Sequence, residues 1–251
     1  MTSFVPLIGF RPFLVKEIRE WWRVRAFLVS FLVMAALATL GTFSAKIDEL
    51  AGGTLAASMT DSAMSILGAK LEDWIVFTAI FSTIGLLAQE RVRGTLSWTL
   101  SKPASRTAIL LAKWTAAVLV LAVAAVVLPL AVTWVVATVT YGSMPSIGPL
   151  VTLGLGMLAT AAFFVALTLA LGTRTESQAG IAAIAFVVYA APLVLGTFLP
   201  SAAEVWPSQM ATMANAVARG SELNLGLVGA WAVSVLGLAG LGAAMLGRVD
   251  L

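Results

Sequence analysis

Side chains able to do chemistry are few in this chain of 251 residues, and they are bunched. There is no Cys and no His. Thiolate nucleophiles, imidazole bases and the ordinary zinc and haem sites are thereby excluded. The Gly-rich phosphate cradle GxxxxGKS or GxxxxGKT is absent, so the chain carries no ATPase site of that kind. What remains is 15 Lys and Arg against 12 Asp and Glu, a formal net charge of +3. That is too small for a nucleic-acid footprint. The cations fall mainly in two runs. One holds Arg11, Lys16, Arg19, Arg23 and Arg25; the other holds Arg91, Arg93, Lys102, Arg106 and Lys113.

The second run is the most informative. From Glu90 to Arg106 it is far longer than a tight turn needs, and it sets apolar Leu96, Trp98 and Leu100 among Arg91, Arg93, Gly94, Thr95, Ser101 and Lys102. Pro103 forces Lys102 out of helix, and Ser105 is placed to cap a new helix. Two readings fit: a solvated basic loop whose apolar residues dip into the membrane interface, or a short helix that docks into a partner protein.

The elements that must hold these residues are helices in a membrane. The chain is 60% hydrophobic and 11% charged, where a soluble domain carries about 45–50% apolar and about 25% charged residues. A helix crosses about 30 Å of hydrocarbon with about 20 apolar residues. Six stretches of that kind are expected: 26–45, 74–89, 114–140, 150–172, 179–199 and 225–247, the third long enough to tilt or to kink at Pro129. The first is too long for a signal-peptide core and follows a 25-residue segment, so it is expected to be retained. Arg174 and Arg248 join the two basic runs on one side; Lys46, Lys70 and Arg219 fall on the other. That asymmetry puts the basic side and both termini in the cytoplasm. The first external loop is acidic, with Asp48, Glu49, Asp61, Glu72 and Asp73. No span carries an ionisable residue in its interior, unlike ion-coupled carriers, and no internal repeat is evident. Energy for any transport must then come from elsewhere.

Outside the spans, Phe10, Phe13, Leu14, Ile18 and Trp21 recur at helical period, with Lys16, Arg19, Glu20 and Arg23 on the other face. This predicts an amphipathic helix over 10–25 lying at the lipid headgroups, or a basic flank that orients the first span. Between the fifth and sixth spans, Ser201 and Glu204 have capping-box spacing. Ser208 is placed to cap a helix reaching Ala218, with Met210, Met213, Ala214 and Val217 as its apolar face and Gly220 beyond its end. Gly237, Gly240, Gly242 and Ala244 supply small residues for helix packing. Phe31, Phe77, Phe81, Phe186 and Tyr189 fall on spans one, two and five, facing lipid or a translocation path.

The run from Gln89 to Lys113 resembles the signature of ABC-2 type permeases. That pattern is E-R-x-x-G-T-L, then L-S-x-P-x-S-R, then an apolar stretch with a Lys. It is matched by Glu90, Arg91, Gly94, Thr95, Leu96, Leu100, Ser101, Pro103, Ser105, Arg106 and Lys113. The resemblance implies an all-α integral membrane protein: residues 1–251 form one transmembrane permease domain of six helices, with an N-terminal amphipathic interfacial helix. It adds a cytoplasmic coupling helix between spans two and three and an external or re-entrant helix between spans five and six. Carried over, Glu90 to Ser101 would contact an ATPase subunit, with a smaller contact at Gly172 to Ser177 that includes Arg174 and Glu176. Spans one, two and five would line a dimer interface.

The function implied is the permease subunit of an exporter in the plasma or inner membrane, paired with a second permease as homo- or heterodimer. ATP and Mg would be bound by separate ATPase subunits, with no cofactor in this chain. A drug, antibiotic, lipid or peptide is the expected cargo. A permease that transmits motion to a periplasmic partner, as in metalloenzyme maturation, and a membrane scaffold or receptor that transports nothing are the alternatives.

Overall fold

The computed structural model describes residues 8–23, 73–95, 104–142 and 146–246, with Leu71, Met144 and scattered helical positions between 28 and 43. Half of the positions of the expected first span, and positions 96–103 of the loop after the second, lie outside the described residues. All regular structure among the described residues is helical. The chain opens with α1 (Phe10–Arg23). Then come α2 (Asp73–Val92), α3 (Arg106–Thr140), α4 (Ile147–Gly172) and α5 (Gln178–Phe198). The short α6 (Pro200–Glu204) and α7 (Met210–Ala218) precede α8 (Leu225–Leu246). Five of these, α2, α3, α4, α5 and α8, are long and apolar enough to cross a bilayer.

Each of the five lies within a few residues of an expected span except α3, which starts at Arg106 instead of 114. Ser105 sets the start: its backbone is extended and its hydroxyl accepts the Ala108 N–H at 3.1 Å, the N-cap its position predicts. The 35 residues of α3 measure about 52 Å at about 1.5 Å each, more than the hydrocarbon is thick. Lys113, read from sequence as a loop residue, stands two turns inside this helix.

Pro129 does not break α3. The residues before it, Ala122–Val127, form a π turn in which the Leu128 N–H reaches the Val123 carbonyl, five residues back. Proline has no N–H and crowds the preceding turn, and one extra residue in the wider turn relieves both. The buried stripe runs through Lys113, Ala117 and Leu121, then steps by five to Val126 and on to Leu130. A second proline, Pro192, lies inside α5 and leaves the Val188 carbonyl without its usual partner. Trp206 fills that place, its indole N–H donating to Val188 at 3.0 Å.

The most buried helix is α4, and the others are fastened to it. Trp114 of α3 donates to the Ala162 carbonyl at 3.0 Å and Trp231 of α8 to Ala159 at 2.8 Å. The hydroxyls of Thr83 on α2 and Thr168 on α4 bond at 2.8 Å. In lipid, helices gain no hydrophobic drive from pairing, so close packing and such bonds must hold them. The tightest seam is with α7, where a Cβ on Gly156 would stand 2.2 Å from Ala214 Cβ and 2.7 Å from the Met210 carbonyl.

Three local expectations are corrected in this region. Ser208 does not cap α7: it lies in a single 3-10 turn, and Thr160 of α4 accepts the Ala211 N–H at 3.0 Å instead. The buried face of α7 is Met210, Ala211, Ala214 and Asn215, rotated from the predicted one because Gly156 admits the Ala edge. Nor does Ser201 cap α6, whose N-cap is Leu199 with Pro200 in the first turn. In α8, Gly242 is the glycine at a close approach, to Leu110 and Ala170; Gly237 and Gly240 meet nothing within 4 Å.

Overpacking of a tight seam costs about 1–3 kcal/mol. Gly156→Ala should therefore lower the thermal-unfolding midpoint of the purified protein clearly, while Gly237→Ala should leave it unchanged or slightly raised.

Candidate functional site

Most of the ionisable groups in the described residues collect at one end of the bundle. The C-termini of α2, α4 and α8 meet the N-termini of α3 and α5 there, and α1 lies against them. Helix α1 has Phe13, Glu17 and Trp21 at steps of four on its inner face, all buried. That face packs on α3, which makes α1 part of the bundle wall as well as an amphipathic helix. The predicted apolar residues Phe10, Leu14 and Ile18 flank the stripe, and Arg23 closes the helix.

Glu17 and Lys113 are each 2% exposed. The Lys113 ammonium donates to Glu17 Oε1 at 2.9 Å and to Glu90 Oε1 at 2.8 Å, joining α1, α2 and α3 at one nitrogen. Glu90, which sequence reasoning placed past the end of the second span, is in the last turn of α2 with its side chain 18% exposed. Its other carboxylate oxygen is buried without a hydrogen-bond partner. Lys16, at the surface edge with Glu20, adds a second cation 3.6 Å from buried Glu17 and 3.4 Å from Glu20. A buried charge is tolerated only when paired and hydrogen-bonded, so each member of this group depends on the others.

Arg91, next along α2, turns the other way. It donates to the Thr173 carbonyl and stands 3.7 Å from Glu176, tying the end of α2 to the loop between α4 and α5. The helices can come this close because Gly172 lies against Leu87 and Ala88. Ser177 then caps α5 by accepting the Gly180 N–H at 3.1 Å. Arg106 closes the ring, donating at 2.7 Å to the carbonyl of Leu246 at the end of α8, where the helix dipole favours a cation.

The structure thus brings Arg91 and Glu176 together, with exposed Arg174 on the same loop, while Glu90 faces Lys113. Arg93, Gly94 and Thr95 follow at the surface, and Gly94 takes a left-handed φ of +68°, where the chain leaves α2. Leu96, Trp98, Leu100 and Ser101, and with them the short helix expected there, lie outside the described residues. Of the aromatic group, Phe77, Phe81, Phe186 and Tyr189 form one cluster between α2 and α5, with ring centroids 5.3–6.0 Å apart. Tyr189 also donates to Asp73. Phe31, on the first expected span, is half-buried.

Sequence reasoning missed Glu17. The signal was present, since Glu17 is four residues from both Phe13 and Trp21 and so interrupts an apolar stripe with a carboxylate. Lys113, among Ala112, Trp114 and the apolar run of α3, carries the complementary anomaly.

A family model for ABC-2 family transporter proteins matches residues 12–228. The match takes in Glu17, Glu90, Lys113 and Glu176. No curated protein matches the chain.

Removing one partner from a buried ion pair costs about 3–5 kcal/mol, and an exposed pair contributes about 0–1 kcal/mol. Lys113→Met should sharply reduce the yield and melting point of purified protein, and Lys16→Met should barely move them. Neutralising Glu17 and Glu90 to Gln together with Lys113→Met should recover most of the lost stability, because no bare charge is then left inside.

Proposed function

The chain belongs to the ABC-2 transporter family, and from that premise we propose that it is the permease subunit of an ATP-binding cassette exporter. It is a multi-pass membrane protein and a membrane component of an ABC transporter, a kind of subunit typically paired with ATPase subunits. The exporter reading adds direction, cargo and coupling. ATP and Mg act in the partner ATPases, and this chain receives the motion. The chain works as a permease dimer in the plasma or inner membrane, its basic end and both termini facing the cytoplasm. Hydrophobic compounds such as drugs, antibiotics, lipids or short peptides are the cargo.

One observation carries the coupling part. The roots of two loops, Arg91 at the end of α2 and Thr173–Glu176 after α4, are bonded to each other at the basic end of the bundle. A partner pressing on the loop after α2 therefore moves α2, α3 and the α4–α5 loop together. Rigid helices joined at such a point transmit a displacement along their length. Gly94, in its left-handed conformation, sets the direction in which the loop leaves α2. We read α7 as the external or re-entrant helix, a reading supported by its packing on α4 about nine residues from that helix's N-terminus, near the end opposite the basic one.

Co-expression with a candidate ABC ATPase subunit should yield a stable complex whose ATP hydrolysis responds to cargo. The absence of any complex would overturn the reading. Gly94→Val forces a β-branched residue into left-handed backbone, which costs about 1–2 kcal/mol. In that variant the complex should still assemble and hydrolyse ATP, while transport in proteoliposomes falls to a small fraction of the wild-type rate.

A further inference from the structure

The loop from Arg93 to Ala104 is held at both of its roots by the same N-terminal segment. At its far root, the Ser105 N–H donates to the Ile8 carbonyl at 3.1 Å, just ahead of α1. Gly9, with φ +88°, brings the backbone so near that a Cβ there would be 2.7 Å from Ala104 Cβ. At its near root, Glu90 shares the Lys113 ammonium with Glu17, two turns further along α1. Between these points Phe13 seats the helix on α3. The segment from Ile8 to Glu17 therefore bridges the two roots, and in sequence α1 is followed by the first expected span.

We propose that α1 is a third arm of the coupling loop, alongside α2 and α3, and that Glu17 is the positioning residue that engages it. This rests on the exporter reading for its role in transport. Whether α1 and the end of α2 are locked by Glu17 can be measured without an ATPase. A displacement of the loop draws α1 with it through the Glu17–Lys113–Glu90 junction, and so reaches the first span as well as the second and third. Glu17 touches no cargo or nucleotide; it acts through Lys113.

The natural absence of cysteine makes a direct test simple. Val15 and Val92 are both exposed, so Val15→Cys and Val92→Cys can carry spin labels for pulsed distance measurement in nanodiscs. With Glu17 present the label distance should be narrow, and in the complex it should stay constant while ATP moves both labels relative to a third site on α8. With Glu17→Gln it should broaden, transported cargo per ATP should fall at least tenfold, and ATP hydrolysis should persist. The swap Glu17→Lys with Lys113→Glu keeps one cation and two carboxylates in the junction and should restore both readouts. Should Glu17→Gln fail to fold, Glu17→Asp retains the charge on a shorter arm and should shift the distance. An unchanged distance distribution in these variants, or a broadened one with normal transport per ATP, would overturn the proposal. Failure to bind any ATPase would instead defeat the exporter reading, with the label distance still deciding whether Glu17 locks α1 to α2.

Discussion

A single ammonium group, that of Lys113, has withdrawn almost entirely from water, and the basic end of the molecule is organised around what that requires. Charge moved away from solvent must be met by opposite charge at hydrogen-bond distance. Glu17 and Glu90 supply it from two different helices. Neither carboxylate would be tolerated at its depth alone, so α1, α2 and α3 are specified relative to one another more sharply than apolar packing alone would achieve. Around this point lie interactions of lesser depth: Arg91 to the α4–α5 loop and Arg106 to the end of α8. The family's signature gains a physical meaning here. Its opening Glu and closing Lys, 23 residues apart, are bonded to each other.

Away from that end the logic changes from charge to contact. Helix α4 accepts indole donors from α3 and α8, shares a hydroxyl bond with α2 and seats the inner edge of α7. Such bonds are modest singly, at about 0.6–2 kcal/mol in lipid. They work because Gly156 and Ala214 let backbones approach, and because tryptophan reaches carbonyls along a helix face. The outer faces of α5 and α8 stay largely uncovered in the single chain, as fits helices that meet lipid or another subunit.

Much of this was legible in the sequence, and the part that was not has a common cause. Spans of apolar residues announce themselves because the bilayer imposes one length and one polarity. Ser105 as a cap followed from its place after Pro103. Contacts between distant segments leave no such trace. Nothing near Ser208 says that Thr160, 51 residues away in sequence from Ala211, takes over the capping of α7. Glu17 and Lys113 each break their local pattern, yet only the fold shows that the two anomalies cancel, across 96 positions. Pro129 marks the place where α3 could kink, but the wide turn found before it depends on how α3 must face its neighbours above and below that level.

That wide turn has a geometric consequence of its own. Each residue of a helix turns the chain by about 100°, and the Ala122–Val127 segment holds one residue more than regular winding would need. Without that residue, everything beyond the turn would face about 100° away from where it does. The wide turn is therefore what lets Val126 and Leu130 stay buried above the level at which Lys113 holds α3 to α1 and α2.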